Sequence, residues 1–346
     1  MLFQREGGLQ VQVMATLEAL QQLGDPGLQV ALADPHRERL DGYDVIHVFS
    51  AINGNYRLVE LAAELGVPVV LSALVSPTWN TAAGVRARLA DCLTGRLTGW
   101  NVQTSYAQTK RALQVAQRVI ALGTAERAAI IDGFRSDPGK IRVLPNGVHP
   151  RFFQADPAAF RRQTGIDGPF VLMAGAISPY KNQLALAQAM NGQLPVVLVG
   201  GVPPQHHDYL QQLLRCPRVH WLGPLKHDDP LLASTYAAAA VLALPSQGEV
   251  FPLVVLEALA AGTPAVMTRA SALDLPGSEF ALRRLAADDL GGWRAAIGEL
   301  VAQPPHRAAV SALVEHFTWR RVARELAGCY RELAGATAAA EARRAV

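Results

Sequence analysis

Residues 244–268 read LPSQGEVFPLVVLEALAAGTPAVMT, which is an apolar strand, a polar turn, a short helix and a second apolar strand. Pro252 suits the beginning of the helix, because its missing N–H would be unpaired there in any case. The Gly-Thr-Pro that follows predicts the end of the helix, as a left-handed cap and then a residue that cannot continue it. The pattern therefore places Glu249 on the loop and Glu257 inside the helix.

The two carboxylates and the helix start form one candidate binding element. The free amides from Leu253 and Val254 on can hold an anion, and carboxylates accept hydrogen bonds from sugar hydroxyls. Glu257 stands in a helix that is apolar on most sides, where an unpartnered charge would be costly. A molecule with hydroxyls at both ends and phosphate between them, such as a nucleotide-sugar, fits this element. The alternatives are a solvent-facing helix residue for Glu257 and an ordinary turn residue for Glu249.

Apolar strands alternate with helical patterns over nearly the whole chain. This alternation predicts parallel sheets that are covered by helices on both faces. The segment PNGVHPRFF carries two prolines and a glycine, which predicts a domain boundary near residue 150. Strands are predicted at 28–33, 44–49, 68–72, 118–122, 141–144, 170–174, 196–200, 219–222, 241–244 and 265–268.

The element from Glu249 to Glu257 resembles the E-x7-E motif of the family-4 glycosyltransferases. Other stretches resemble further parts of that family in the family's order. These are Gly7-Gly8 before an amphipathic helix, DVIHVFS (44–50), VLPNGVHPRFF (143–153), GAISPYKNQLALAQAM (175–190) and RVHWLGPL (218–225). Each similarity alone would be weak, but their shared order is specific. The resemblance implies an α/β GT-B fold, in which two Rossmann-like doubly wound domains face each other across a cleft.

The resemblance also implies the domain organisation. We expect an N-terminal acceptor domain over residues 1–148 and a nucleotide-sugar-binding domain over 149–317. Residues 318–334 have apolar side chains at helical spacing, and in this family such a helix crosses back to the N-terminal domain. Residues 335–346 are expected to be a frayed tail.

The same resemblance implies functions for individual side chains. It implies that Glu249 contacts the transferred sugar, that Glu257 holds the ribose hydroxyls and that Lys181 stabilises the departing diphosphate. An exposed surface lysine remains an alternative for Lys181. Further donor contacts are expected from Gly7, Gly8, Phe251, Leu253, Val254, Gly223 and Leu225. Candidate acceptor-side residues, each of which could equally be a packing or turn residue, are Asn53, Trp79 and Asn80.

The implied activity is that of a retaining glycosyltransferase of the hexosyltransferase type. The donor would be a UDP- or GDP-linked sugar and the acceptor a saccharide or a lipid-linked molecule. We expect no cofactor and no metal, because no two aspartates stand two residues apart as in the Asp-x-Asp pair of metal-dependent glycosyltransferases. His47 lies within an apolar strand and is expected to be a core histidine with its polar atoms satisfied, so no general base is assigned.

Two departures from the family pattern keep other functions open. Ala176 stands where the family commonly has an arginine, and no histidine follows the strand at 68–72. A nucleotide-sugar-binding subunit without catalytic activity is therefore one alternative. A nucleotide-sugar epimerase or hydrolase on the same fold is another, although no convincing acid/base pair is evident.

Composition narrows the possible partners and location. The 346 residues carry a net charge of +3 from 32 basic and 29 acidic residues, which gives no sign of a nucleic-acid partner. The N-terminus lacks the pattern of a signal peptide, and three separated cysteines fit a reducing compartment. We therefore expect a cytoplasmic protein. Basic residues over 86–111 suit either a solvated helix face or contact with anionic lipid at the inner face of the membrane.

Overall fold

A computed structural model describes residues 7–52, 54–99 and 103–344 of the chain, with side chains up to residue 336. Over these ranges the chain forms two compact α/β units. The first unit is built mainly from Gln12–Asn146 and the C-terminal helix, and the second from Gly147–Ser271 and Leu275–Thr318.

The elements follow the predicted alternation of strands and helices. Up to residue 143 they are α1 (Gly8–Gln21), β1 (Ile46–Phe49), α2 (Asn55–Glu64), β2 (Val69–Ser72), α3 (Thr81–Thr98), α4 (Ser105–Val115), β3 (Arg118–Ala121), α5 (Thr124–Phe134) and β4 (Ile141–Val143). After it they are α6 (Ala158–Thr164), β5 (Val171–Ala174), α7 (Gln183–Met190), β6 (Val196–Val199), α8 (His207–Leu214), β7 (Val219–Trp221), α9 (Pro230–Ala238), β8 (Val241–Leu244), α10 (Leu253–Ala260), β9 (Ala265–Thr268), β10 (Leu282–Leu285), α11 (Leu290–Ala302), α12 (Arg307–Ala312) and α13 (Trp319–Arg344).

The first unit contains a parallel sheet in the order β1-β2-β3-β4. Strands that follow one another along the chain are also neighbours in this sheet, so the order of the described strands never reverses. The strand predicted at 28–33 was wrong, because in the described part of the chain no strand pairs with this segment. Its side chains alternate between half-buried and exposed, as in an extended segment, but the alternation does not supply the neighbouring strand that a ladder requires.

His47 in β1 is half-buried, and both of its ring nitrogens have partners, as predicted. Its Nδ1 lies 2.7 Å from the Tyr330 hydroxyl of α13, and its Nε2 lies 2.9 Å from the Ser72 hydroxyl of β2. Burial lowers the pKa of His47 to about 3, so the ring is neutral at ordinary pH. These contacts are structural and tie α13 to the first sheet.

The C-terminal helix α13 continues to Arg344, past residue 334 where its end was predicted. It therefore includes most of the segment that was expected to fray. The physical reason is composition, since residues 335–344 are rich in alanine, which has the highest intrinsic helix propensity.

The second unit contains a doubly wound parallel sheet in the order β10-β9-β8-β5-β6-β7. From β5 the chain moves outward through β6 to β7, and it then returns to pair β8 with the other side of β5. Strands β5, β6, β8 and β9 are buried along their whole length, which explains why they are continuous apolar runs in the sequence. The order reverses between β5 and β8, and ligands of such sheets bind at the carboxyl ends of the strands at that point.

The edge strand β10 was not predicted. Its sequence, Leu-Arg-Arg-Leu, is not an apolar run, because an edge strand has a single neighbour and tolerates charged side chains. The other nine predicted strands are confirmed to within two residues at each end.

Gly200 fixes the loop that follows β5. A Cβ atom at this position would lie 2.0 Å from the carbonyl oxygen of Gly175, and the φ angle of Gly200 is +148°. The amide of Gly175 donates to Val199 at 2.8 Å, and that of Ile177 donates to Gly201 at 2.9 Å. The loop thus lies directly against the end of β6, which only glycine at position 200 permits.

Candidate active site

The loops after β5 and β8 meet at the carboxyl edge of the second sheet, because these two strands are parallel neighbours. The first loop ends in a 3-10 turn, Pro179–Lys181, and the second leads into α10. The amide of Gln247 donates to the carbonyl oxygen of Tyr180 at 3.0 Å, and the Tyr180 hydroxyl donates to that of Gly248 at 2.7 Å. The two loops therefore form one hydrogen-bonded surface.

Lys181 and Glu249 lie in direct contact at this edge. The Lys181 Nζ is 2.6 Å from the Glu249 Oε1, and both side chains are partly buried. The amide of Glu249 also donates to Ala270 at 3.0 Å, which fixes the backbone beneath the carboxylate. The structure thus brings together the two residues that were predicted to be catalytic. Lys181 ends a 3-10 turn, and α7 begins two residues later.

Glu257 is held on both carboxylate oxygens. Its Oε1 lies 2.8 Å from the His227 Nε2, and its Oε2 accepts a hydrogen bond from the Tyr236 hydroxyl at 2.7 Å. Only 5% of Glu257 is exposed, so it is not a solvent-facing helix residue. Each oxygen has a second lone pair with which it can accept a further hydrogen bond. The carboxylate is therefore a fixed acceptor.

Tyr236 lies in α9 and is buried against Phe152, with the ring centroids 5.6 Å apart. Burial and the adjacent Glu257 carboxylate raise the pKa of the Tyr236 hydroxyl well above its ordinary range. The hydroxyl therefore keeps its proton and remains a donor to Glu257 at any working pH.

His227, like Tyr236, belongs to this cluster but was not predicted from the sequence. It precedes α9, thirty residues before Glu257, and its ring centroid lies 5.7 Å from that of Phe152. No periodicity or short motif links the two positions. The contact arises because α9 and α10 pack against each other in the sheet's helical layer.

The start of α10 offers amides to the same edge. Those of Leu253 and Val254 precede the first possible intrahelical acceptor. The Ser246 hydroxyl, in the loop after β8, is fully buried, and within the described residues it has no hydrogen-bond partner. Phe251 instead points into the protein, where its ring lies 6.3 Å from that of Phe317.

The remaining donor-side candidates lie in two places. Gly223 follows β7 with a φ angle of +81°, its carbonyl oxygen accepts from the Gly200 amide at 3.0 Å, and Leu225 is half-buried in the same loop. Gly7 and Gly8 are exposed at the beginning of α1. No hydrogen bond between described residues joins these two glycines to the carboxylates of the site.

The acceptor-side candidates have structural positions in the first unit. The Trp79 ring packs 4.8 Å from that of Phe134 and 5.7 Å from that of Tyr106. The Asn80 side chain caps α3 by accepting from the Ala83 amide at 2.9 Å. Asn53 lies outside the described residues.

The described ranges contain no group of three or more His, Cys, Asp or Glu side chains that could hold a metal ion. None of the helices in these ranges combines the length and the apolar composition needed to cross a membrane.

Comparison with known proteins identifies the family. Residues 168–303 match the family model of glycosyl transferases group 1, and residues 4–147 match that of the glycosyl transferase 4-like domain. The D-inositol 3-phosphate glycosyltransferase of Stackebrandtia nassauensis is 31% identical, over 83% of this chain and 68% of the relative. That of Frankia alni is 28% identical, over 84% of this chain and 74% of the relative.

Solved structures show the same fold. Sucrose-phosphate synthase from Thermosynechococcus elongatus superposes with a TM-score of 0.72 at 24% identity, covering 95% of this chain and 94% of that one. HepE from Anabaena, solved in complex with UDP, has a TM-score of 0.66 at 20% identity and covers 84% and 79% of the two chains. With two parallel-sheet α/β units and these relatives, the chain belongs to the family-4 glycosyltransferases and has their GT-B fold.

Proposed function

We propose that this enzyme transfers a sugar, with retention of configuration, from a UDP- or GDP-linked donor to a saccharide or lipid-linked acceptor. The observation that carries the proposal is the cluster of Lys181, Glu249 and the start of α10 at the point where the strand order of the second sheet reverses. HepE, which shares the fold, was solved with UDP. The sequence relatives glycosylate D-inositol 3-phosphate, so a phosphorylated polyol is the first acceptor to test.

The donor diphosphate is proposed to displace Glu249 from Lys181. The ammonium group and the amides of Leu253 and Val254 would then face the negative charge that develops as the bond to the sugar breaks. The released Glu249 carboxylate would accept hydrogen bonds from hydroxyls of the transferred sugar. In this scheme the ion pair holds both side chains in place until the donor arrives.

The ribose is proposed to bind at Glu257. His227 and Tyr236 occupy one lone pair on each carboxylate oxygen, so the remaining pairs are available to the two ribose hydroxyls. Because the carboxylate is already fixed, little side-chain entropy is lost on binding.

Retention is proposed to need no protein nucleophile and no metal. The departing phosphate oxygen would take the proton of the acceptor hydroxyl on the same face of the sugar. His47 is not available as a base, since both of its ring nitrogens are engaged in the core of the first unit.

A nucleotide-sugar-binding subunit without catalysis is the second candidate. Ala176 stands at the position of the family's common arginine, and its carbonyl oxygen accepts from the Gln183 side chain at 2.9 Å. A diphosphate here would thus meet one lysine and backbone amides instead of two cations.

Titration calorimetry with UDP, GDP and ADP tests the donor site. Lys181→Met should weaken binding of the preferred nucleotide at least tenfold, since a charged hydrogen bond is worth about 1.5–3 kcal/mol. Lys110→Met, the same charge change on α4, should leave binding unaltered. If wild-type protein binds none of the three nucleotides, the donor site is refuted.

Product formation separates the enzyme from the binder. Wild-type protein is incubated with UDP-glucose or GDP-mannose, with inositol 3-phosphate and with excess EDTA, and products are identified by mass spectrometry and by anomeric coupling in NMR. Retained configuration with EDTA present supports the full proposal. Nucleotide binding without transfer to any tested acceptor, and without donor hydrolysis, favours the binding subunit.

A further inference from the structure

Helix α3 in the first unit presents its largest apolar side chains to solvent. Val85, Leu89, Leu93 and Leu97 are 40%, 62%, 61% and 86% exposed. The residues that α3 buries are glycines, at positions 84 and 95. A surface helix ordinarily has the opposite arrangement, with its apolar stripe toward the core.

A close contact with α5 fixes this orientation. A Cβ atom at Gly84 would lie 2.1 Å from the carbonyl oxygen of Gly133, so the two backbones approach where no side chain fits. Rotation of α3 to bury its leucines would place larger side chains at this contact. The outward direction of the leucines therefore follows from how the helix packs.

The exposed apolar residues form one continuous stripe. They recur every four residues, which places them on one side of the helix over about 18 Å. Single exposed leucines are ordinary, whereas the largest contiguous apolar patch on a soluble protein is often a functional one.

The charges beside the stripe are basic. Arg86 and Arg96 are exposed on α3, and the only acidic residue of the helix sequence is Asp91. Asp91 is half-buried and accepts a hydrogen bond from the Thr104 hydroxyl at 2.8 Å. An approaching surface would therefore meet leucines and arginines and no free carboxylate of α3.

We propose that α3 docks this protein on anionic lipid bilayers. The leucines enter the boundary between headgroups and acyl chains, and the two arginines contact lipid phosphates. A second copy of the chain fits less well, because a two-fold contact would bring like charges together. Its area per copy would also fall well below the roughly 800 Å² of a stable interface.

The docking does not rest on the proposed donor chemistry, since it involves the first unit alone. It does bear on the acceptor, because a glycosyltransferase held on a bilayer by its first unit has lipid-linked acceptors within reach.

Vesicle flotation with the full chain tests the docking. Vesicles of phosphatidylcholine with 30% phosphatidylglycerol should carry wild-type protein at low salt, whereas pure phosphatidylcholine should carry much less. The triple variant Leu89→Gln/Leu93→Gln/Leu97→Gln should bind vesicles at least tenfold more weakly, because it removes the apolar side chains that enter the bilayer. Glutamine is used because its helix propensity is close to that of leucine, so α3 should stay helical. Arg86→Gln/Arg96→Gln should lose roughly fivefold per arginine and most of the salt dependence.

A matched control uses exposed leucines elsewhere in the first unit. Leu61→Gln/Leu65→Gln, in and just after α2, should leave vesicle binding unchanged. Hydrogen exchange of the α3 and α5 amides reports whether the first unit of the triple variant is folded, and nucleotide titration of the same variant keeps the donor site in the second unit apart from the docking result. The proposal is overturned if wild-type protein ignores anionic vesicles, or if the triple variant floats as wild type does. A wild-type dimer that the triple variant converts to a monomer would also overturn it in favour of a second copy.

Discussion

Removal of the Tyr236 hydroxyl should show how strongly the buried Glu257 carboxylate depends on its donors. Tyr236→Phe deletes one oxygen and leaves the ring packed on Phe152, so no cavity forms. Glu257 Oε2 then loses a donor at 2.7 Å in a place that is 5% exposed, where water cannot substitute. A hydrogen bond to a charged group is worth about 1.5–3 kcal/mol, and we expect a loss in this range for the second unit.

Hydrogen exchange read by mass spectrometry is the suitable assay, because a chain of two units need not unfold in one transition. Peptides from α9 and α10 should lose protection by about the stated free energy. Tyr180→Phe is the matched control. Its hydroxyl donates to Gly248 at the same 2.7 Å, but the residue is exposed and water can replace the bond, so we expect a loss below about 1 kcal/mol.

A double-mutant cycle separates the hydrogen bond from other effects. In a Glu257→Gln background the charge is absent, so the added cost of Tyr236→Phe should shrink by at least about 1 kcal/mol. Equal costs for Tyr236→Phe and Tyr180→Phe, or equal costs with and without the charge, would refute the view that Glu257 is held as a fixed acceptor. The proposed binding of the two ribose hydroxyls at Glu257 would then lose its structural basis.

Three further predictions concern residues that hold the two sheets and their loops. Burial raises the pKa of Glu126 from 4.5 to about 7, although two backbone amides donate to it. Because the pKa is higher in the folded state, the stabilising contribution of this group is fully present below pH 4.5. Roughly 3 kcal/mol of it is lost as pH rises through about 7. Glu126→Gln should therefore flatten the profile of urea stability against pH between pH 5 and 8. Gly84→Ala should destabilise α3 by about 1–3 kcal/mol, because the new methyl group meets the Gly133 carbonyl oxygen, and exchange of α3 amides should report it. Gly200→Ala should weaken nucleotide binding severalfold by displacing the loop at Gly175, as titration calorimetry would measure.

Gly298→Ala in α11 is the control for both glycine changes. Its Cβ would meet nothing within 4 Å, so only helix propensity acts and stability should stay the same or rise by up to about 1 kcal/mol. Gly84→Ala or Gly200→Ala behaving like this control would contradict the close contacts. An unchanged slope of stability against pH in Glu126→Gln would show that the carboxyl group is not the titrating one.

The buried strands were predictable from the sequence because both faces of a parallel sheet are covered. Strands β5, β6, β8 and β9 are therefore apolar at every position, and no periodicity has to be resolved. Strand β10 fails this criterion because it lies at an edge and carries two arginines. Residues 28–33 show the reverse error, since an extended apolar segment becomes a strand only where a partner strand is present.

The residues of the candidate site also fall into those that were predicted from the sequence and those that were not. Glu249, Glu257 and Lys181 were assigned to one site through the resemblance to the family. The structure shows why two of them meet, since β5 and β8 are parallel neighbours and the loops that carry Lys181 and Glu249 follow them at one edge of the sheet. His227 depends on the packing of two helices and on a rotamer, and nothing in the local sequence specifies either. Tyr236 could have been noticed because α9 carries no charged residue and is expected to be buried, and a buried tyrosine hydroxyl requires a partner.

Helix α3 shows why an apolar stripe in a sequence does not identify the surface it covers. Leucines at every fourth position predict a helix with one apolar side, and the usual inference is that this side faces the core. Here the orientation of α3 is set by Gly84, because its backbone lies so close to that of Gly133 that no leucine side chain would fit between them. The free energy that a buried leucine stripe would contribute to folding is thus left available for binding. A helix that keeps Leu89, Leu93 and Leu97 in water beside two exposed arginines retains that energy for a surface outside the protein, and an anionic bilayer is the surface whose chemistry matches both.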